Sequence, residues 1–119
     1  MSIIHSYKDL IVWQKSIILV KLIYELTAHF PPSEQFGITN QMRRAAVSIP
    51  SNIAEGYARK TKKDTIHFHI MAFGSALELE TQLQISKDLR FISEEKLKYT
   101  NEVLLEVIKM LNRMTSNAR

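Results

Sequence analysis

Apolar residues recur at alternating steps of three and four along the first part of the chain, and this spacing places them on one face of an α-helix. The repeat predicts a first helix from Tyr7 to about Ala28. The residues expected on its inner face are Leu10, Trp13, Ile17, Val20 and Tyr24. Other apolar residues occupy much of the remaining circumference, so this helix needs cover on more than one side. We therefore expect a neighbouring subunit to cover part of it.

Two prolines, Pro31 and Pro32, end this helix, because proline cannot continue a helix and restricts the residue before it. The next repeat predicts a second helix from Ile38 to Arg59. Its expected inner residues are Ile38, Met42, Ala45, Ile49 and Ile53. Pro50 lies inside this helix and removes one backbone hydrogen bond, which costs about 3 kcal/mol in an unadapted helix. We expect a kink or a short break there.

Two hydroxyl residues predict where the remaining helices begin. Thr61, three residues before Asp64, has the spacing of a capping box and opens a long third helix that runs to about Leu89. Ser93 precedes two acidic residues and opens the fourth, because a hydroxyl cap and negative charge suit the positive end of a helix dipole. The expected inner residues of the third helix are Ile66, Ile70, Phe73, Ala76, Leu77 and Leu83. Those of the fourth are Leu97, Leu104, Val107, Ile108, Leu111 and Met114.

Helix breakers are scarce, with three glycines and three prolines in 119 residues, and this favours a few long helices. No strand alternation competes with the helical repeats. The sequence therefore predicts an all-α fold, an antiparallel up-down-up-down four-helix bundle whose second helix is kinked near Pro50. At this length we expect one domain, residues 1–119.

The residue types that catalyse reactions or bind metals do not occur in useful arrangements. His67 and His69 are two residues apart on a helix, so their rings point about 200° apart and cannot share a ligand. Glu78 and Glu80 are also two residues apart, so their carboxylates cannot share a metal ion either. The chain has no cysteine, no phosphate-binding glycine motif and no nucleophile motif. We expect no enzymatic activity, no cofactor and no bound metal.

The first residues lack the basic and apolar regions of a secretory signal, and no apolar stretch approaches the ~20 residues of a membrane span. The absence of cysteine is compatible with a reducing compartment. We expect a cytoplasmic protein that does not associate with a membrane.

The positive charge of the chain is concentrated in one region. The formal net charge is +4, and residues 38–63 carry six basic residues against one acidic residue. The six are Arg43, Arg44, Arg59, Lys60, Lys62 and Lys63. A local basic surface suits an anionic partner, whereas solvated helix faces and a basic loop are the alternative interpretation. Tyr57 is the one aromatic residue at the edge of the basic loop, so we expect little base stacking and little sequence specificity.

The segment from Gln41 to Gly56 carries more polar and special residues than a plain core helix requires. Its distinctive residues are Ser48, Pro50, Asn52, Glu55 and Gly56. One interpretation is structural, with the hydroxyls bonding carbonyls that Pro50 frees and Glu55 pairing with Arg59. The other is a site for a partner subunit or an anionic ligand.

Several stretches of the sequence resemble one known family. They are Asp9-Leu10 and Val12-Trp13, Phe30-Pro31 and Phe36-Gly37, Gln41 with residues 43–56, and Ala72, Gly74-Ser75 and residues 78–83. On these residues the sequence resembles the bacterial 23S rRNA intervening-sequence proteins, also called S23-type ribosomal proteins. Arg90-Phe91 departs from the Gly-Tyr pair of that family, which affects a turn.

This resemblance implies a four-helix bundle, often assembled as a ring-like pentamer, and it brings no catalytic residue. Members of the family occur as reading frames inside insertions in large-subunit rRNA genes. A more distant branch is similar to the basic accessory subunit of diversity-generating retroelements, which binds nucleic acid and a reverse transcriptase.

Two hypotheses follow. The first is a non-enzymatic homo-oligomeric bundle that binds RNA or DNA through phosphate contacts from the six basic residues. The second is a protein-protein interaction scaffold or accessory subunit that uses its apolar helix faces, with the basic residues serving solubility.

Overall fold

The computed structural model describes residues 3–118 and has four long helices in that range, with no β-strand. They are α1 (Ile11–Thr27), α2 (Ile38–Tyr57), α3 (Lys62–Asp88) and α4 (Glu94–Thr115). Short 3-10 turns precede α1, join α1 to α2 and follow α4; they are Tyr7–Asp9, Pro32–Glu34 and Ser116–Ala118.

Each helix packs against the next one along the chain, and α1 also packs against α4, so the four helices close into a bundle. The connections are short, which makes sequential helices antiparallel. The predicted up-down-up-down four-helix bundle is confirmed. The most extensive contact joins α2 to α3, and the whole measures 43 × 26 × 21 Å.

The helix starts that the sequence predicts are confirmed by their caps. Thr61 Oγ1 accepts a hydrogen bond from the backbone N–H of Asp64 at 3.2 Å, and Ser93 Oγ accepts one from Lys96 at 3.3 Å. The first helix is an exception, because Tyr7–Asp9 forms a separate 3-10 turn and the extended backbone of Leu10 follows it. The α-helix therefore begins at Ile11.

The inner faces of α2 and α4 are as predicted, whereas those of α1 and α3 are rotated and only partly confirmed. Of the predicted residues, Ala76 and Leu83 are buried, and Leu10, Trp13, Val20 and Phe73 pack against the core. On α1 the buried apolar residues are Val12, Leu19 and Ile23, while Tyr24 is 43% exposed. On α3 the predicted inner residue Leu77 is 40% exposed. The side chains that α3 buries are His69, Ala72, Ala76, Leu79, Gln82, Leu83 and Ser86.

Pro50 does not interrupt α2, which is continuous from Ile38 to Tyr57. The short break considered at this position is therefore wrong, and the kink stays a prediction. Pro50 is itself one of the residues that α2 buries.

The end of α3 is a Schellman motif. The N–H of Phe91 bonds to the carbonyl of Ser86 and that of Arg90 to Lys87, both at 2.9 Å. Arg90 has a φ of 64°, the left-handed conformation that glycine usually supplies at this position. The Phe91 ring then packs on Phe30, with ring centroids 5.5 Å apart. The departure from the family's Gly-Tyr pair thus falls on a turn, as predicted.

Candidate nucleic-acid interface

The turn between α2 and α3 carries four of the six predicted basic residues. α2 ends at Tyr57, Thr61 caps α3, and every residue from 57 to 64 is exposed. The basic residues in this turn and at the start of α3 are Arg59, Lys60, Lys62 and Lys63. The positive end of the α3 dipole lies at the same place and adds to their potential.

Arg59 differs from the three lysines because two neighbours hold it. Its guanidinium pairs with Glu55 one turn back on α2, as predicted, and lies 4.5 Å from the centre of the Phe68 ring. In the described part of the chain, the ammonium groups of Lys60, Lys62 and Lys63 form no ion pair. We call these three residues the lysine turn.

The other two predicted residues, Arg43 and Arg44, lie elsewhere. They are in the first half of α2, about 20 Å along the helix axis from its last residue, Tyr57. Arg43 is half-buried: its Nε donates to Thr27 Oγ1 at 2.9 Å, and its guanidinium lies 4.5 Å from the centre of the Tyr24 ring. Arg43 therefore ties α2 to the end of α1, while Arg44 is exposed. The structure does not unite the six residues in one patch.

The distinctive segment of α2 holds α2 against α3. The hydroxyls of Ser48 and Ser75 are 2.9 Å apart across the two helices. Asn52 Nδ2 donates to both the carbonyl and the hydroxyl oxygen of Ser48, each at 2.9 Å. The sequence suggested that these hydroxyls bond carbonyls freed by Pro50. For Ser48 this is wrong, because its hydroxyl forms a hydrogen bond with Ser75 on α3.

Gly56 completes this contact between helices. Thr65 Oγ1 donates to the Gly56 carbonyl at 2.9 Å. A Cβ at position 56 would lie 3.1 Å from the Cβ of Phe68 and 3.1 Å from the Thr65 carbonyl oxygen, tighter than nine in ten real Cβ contacts. The structure thus gives Ser48, Asn52 and Gly56 a packing role at this interface.

Several aromatic side chains lie at the same end of the bundle as the lysine turn, and sequence reasoning missed most of them. The Tyr57 ring is 42% exposed and its centre lies 6.5 Å from that of Tyr7. Tyr7 in turn contacts Trp13 at 5.4 Å. The Arg59 guanidinium lies over the ring of Phe68. The centre of the exposed His67 ring lies 5.5 Å from the centre of the Phe68 ring. Tyr7 is fifty positions from Tyr57, so no local signal in the sequence could join them.

His69 is buried beside Gly56, and burial lowers its pKa because the charged imidazolium loses solvation. Its ring therefore adds no charge to the site at neutral pH. His67, two residues earlier, is exposed. Within residues 3–118 no group of three histidine, aspartate or glutamate side chains is placed to bind a metal ion. No helix in that range is both long and apolar enough to cross a membrane.

Comparisons with known proteins agree with the bundle and with the sequence motif. No curated protein has a significant match to the chain. Among solved structures, a protein of unknown function from the S23 ribosomal protein family of Bacteroides thetaiotaomicron superposes with a TM-score of 0.82. The match covers 88% of this chain and 98% of that one at 24% identity, so it shows a shared fold. The family model for the 23S rRNA-intervening sequence protein matches residues 8–113. The chain therefore belongs to the 23S rRNA-intervening sequence protein family.

Proposed function

We propose that this protein is a non-enzymatic, cytoplasmic homo-oligomer that binds RNA or DNA through the phosphates of the nucleic acid. The observation that carries the proposal is the lysine turn, three exposed ammonium groups without acidic partners in the described part of the chain. Arg59 borders the turn but is already paired with Glu55. Arg44 lies far enough away to contact a different part of a long strand or a different strand.

Electrostatic contacts of this kind depend on salt, because each neutralised phosphate releases bound counterions. A duplex contacted by three lysines should lose affinity with a slope of about −2.7 in log affinity against log salt. Assembly strengthens the effect, since every added copy brings another net charge of +4.

The lysine turn is tested by charge reversal. The variant Lys60→Glu, Lys62→Glu, Lys63→Glu should lose retention on nucleic acid at low salt, because repulsion replaces three phosphate contacts. Retention is measured on immobilised RNA and DNA over a series of salt concentrations. Light scattering measures the mass of the protein with and without RNA, and the variant should keep the mass of the unmodified assembly.

The matched control changes the same charge elsewhere. Lys21, Lys96 and Lys98 are also exposed, and none forms an ion pair in residues 3–118. Lys21→Glu, Lys96→Glu, Lys98→Glu should reduce retention much less than the reversal in the lysine turn. Equal retention by the two variants would contradict the phosphate contacts assigned to the lysine turn.

A second candidate function, a protein-binding scaffold, is favoured by apolar side chains on the outer surface. The exposed apolar residues on the four helices include Ile11, Ile18, Val47, Met71, Leu77, Ile85 and Leu105. Gly74 lies on the exposed side of α3, and a Cβ there would meet nothing within 4 Å. Such surfaces also suit contacts between copies of this chain. An assembly that ignores RNA at every salt concentration would support the scaffold instead.

A further inference from the structure

An aromatic residue whose side chain reaches solvent precedes the lysine turn in the sequence. Tyr57 is the last residue of α2, three positions before Lys60, and its side chain is 42% exposed. Nucleic-acid surfaces that lack base-edge contacts commonly combine cations for the phosphates with aromatic rings for the bases. Both components are present within seven consecutive positions, residues 57–63.

The packing of Tyr57 leaves at least one face of its ring uncovered by its aromatic neighbour. The rings of Tyr57 and Tyr7 have centres 6.5 Å apart and planes at 69°. Rings at this angle meet edge to face, so Tyr7 covers at most one face of Tyr57. Tyr7 is itself fixed by Trp13, whose ring centre is 5.4 Å away at 66°. The exposed ring of Tyr57 therefore contacts a ring that is itself packed on Trp13.

We propose that the junction of α2 and α3 selects single-stranded nucleic acid by stacking one base on Tyr57 while Lys60, Lys62 and Lys63 hold the adjacent phosphates. This inference rests on the proposed function. It replaces the expectation of little base stacking with one stacking position, the ring of Tyr57. It requires a strand whose base faces are accessible.

Duplexes do not present accessible base faces. The faces of their bases are covered by neighbouring base pairs, and only the base edges and the backbone remain open to a protein. A duplex can contact the lysine turn alone, whereas a single strand contacts the lysine turn and Tyr57. Stacking of one base on an aromatic side chain corresponds to about 5- to 150-fold in affinity. It tolerates any base, since every base has a flat face.

The test compares Tyr57→Ala and Tyr57→Phe with the unmodified protein. Fluorescence anisotropy gives the Kd for an unstructured oligonucleotide and for its duplex at one low salt concentration. Tyr57→Ala should weaken binding of the single strand about 5- to 150-fold and leave duplex binding unchanged. Tyr57→Phe keeps the ring and should bind both as the unmodified protein does. Tyr99→Ala, at a ring that is 57% exposed on α4, is the control and should change neither Kd.

A variant with a fluorescent ring at position 57 keeps the test independent of losses in folding. In Tyr57→Trp the new indole should be quenched when the single strand binds and should keep its fluorescence with the duplex. Trp13, the one natural tryptophan, supplies the background in the unmodified protein.

Three results would overturn the inference: an unchanged single-strand Kd in Tyr57→Ala, an equal loss for single strand and duplex, or no quenching in Tyr57→Trp. If the reversal in the lysine turn still abolishes binding in those cases, the proposed function stands without the stacking platform. If the unmodified protein binds neither nucleic acid, both proposals fail.

Discussion

At the scale of single residues, the backbone of Arg90 predicts a stabilising substitution. Its φ of 64° is the only positive φ in residues 3–118, and a side chain there costs about 1–2 kcal/mol relative to glycine. Glycine loses part of this gain because it makes the unfolded chain more flexible. Arg90→Gly should therefore raise the free energy of unfolding by about 0.5–1 kcal/mol, measured by urea denaturation.

The control for Arg90→Gly introduces the same residue six positions earlier. Gln84→Gly, in the exposed interior of α3, should lower the free energy of unfolding by about 0.5 kcal/mol, because glycine is a poor helix former. Opposite signs at positions 84 and 90 identify the left-handed cap as the cause. A loss of stability in both variants would contradict it.

His69 predicts how stability depends on pH. Burial lowers its pKa in the folded protein below the value of 6.5 that applies to the unfolded chain. As the pH falls through about 6.5, His69 is protonated in the unfolded chain but stays neutral in the folded protein. Protonation therefore stabilises the unfolded chain, and the free energy of unfolding decreases. Above about pH 6.5 His69 is neutral in both states, so it does not lower the free energy of unfolding. Urea midpoints between about pH 8 and about pH 5 should show this loss.

Two histidine variants separate His69 from other titrating groups. His69→Gln removes the buried imidazole and should flatten the pH dependence of the urea midpoint near pH 6.5, even if it lowers stability at every pH. His67→Gln changes an exposed ring and should leave the dependence in place. If His67→Gln flattens it and His69→Gln does not, the assignment to the buried ring is wrong.

At the scale of helices, two glycines should respond in opposite ways to the same change. Gly56→Ala places a Cβ 3.1 Å from Phe68 and from the backbone of Thr65, so it should destabilise the packing of α2 on α3 by about 1–3 kcal/mol. Gly74→Ala enters open space in the middle of α3 and should stabilise the helix by up to about 1 kcal/mol. Thermal and urea denaturation measure both. A loss of stability or of assembled mass in Gly74→Ala would show that another chain lies over this position.

The rotation of two inner faces shows where helical periodicity stops being informative. On α1, apolar residues occupy most of the circumference, so the repeat of Leu10, Trp13 and Tyr24 is as regular as that of Val12, Leu19 and Ile23. On α3 the interface with α2 buries polar side chains such as Gln82 and Ser86, while apolar ones remain outside. α2 and α4 have polar and apolar residues on opposite sides, and their inner faces could be predicted.

At the scale of the whole molecule, local signals were enough for the order of elements. Pro31, Pro32, Thr61 and Ser93 mark where helices end or begin, and four antiparallel helices with short connections have one simple arrangement. The composition of the candidate site was harder to predict. Adjacent charges in the sequence could be grouped, yet Arg43 faces the end of α1 and the lysine turn faces solvent at the far end of α2. The different surroundings of Arg43 and of the lysine turn become visible only in the packed bundle.

The position of the lysine turn at one end of the bundle has a consequence for strand length. In a cyclic homo-oligomer, such as the ring that the family resemblance implies, rotational symmetry would place every lysine turn at the same height along the ring axis. A strand that spans two turns binds the second one intramolecularly, at a high effective concentration, and so gains avidity. A shorter strand engages one turn and exchanges quickly. Such a ring would discriminate among single strands by their length, because only a long strand reaches two lysine turns at once.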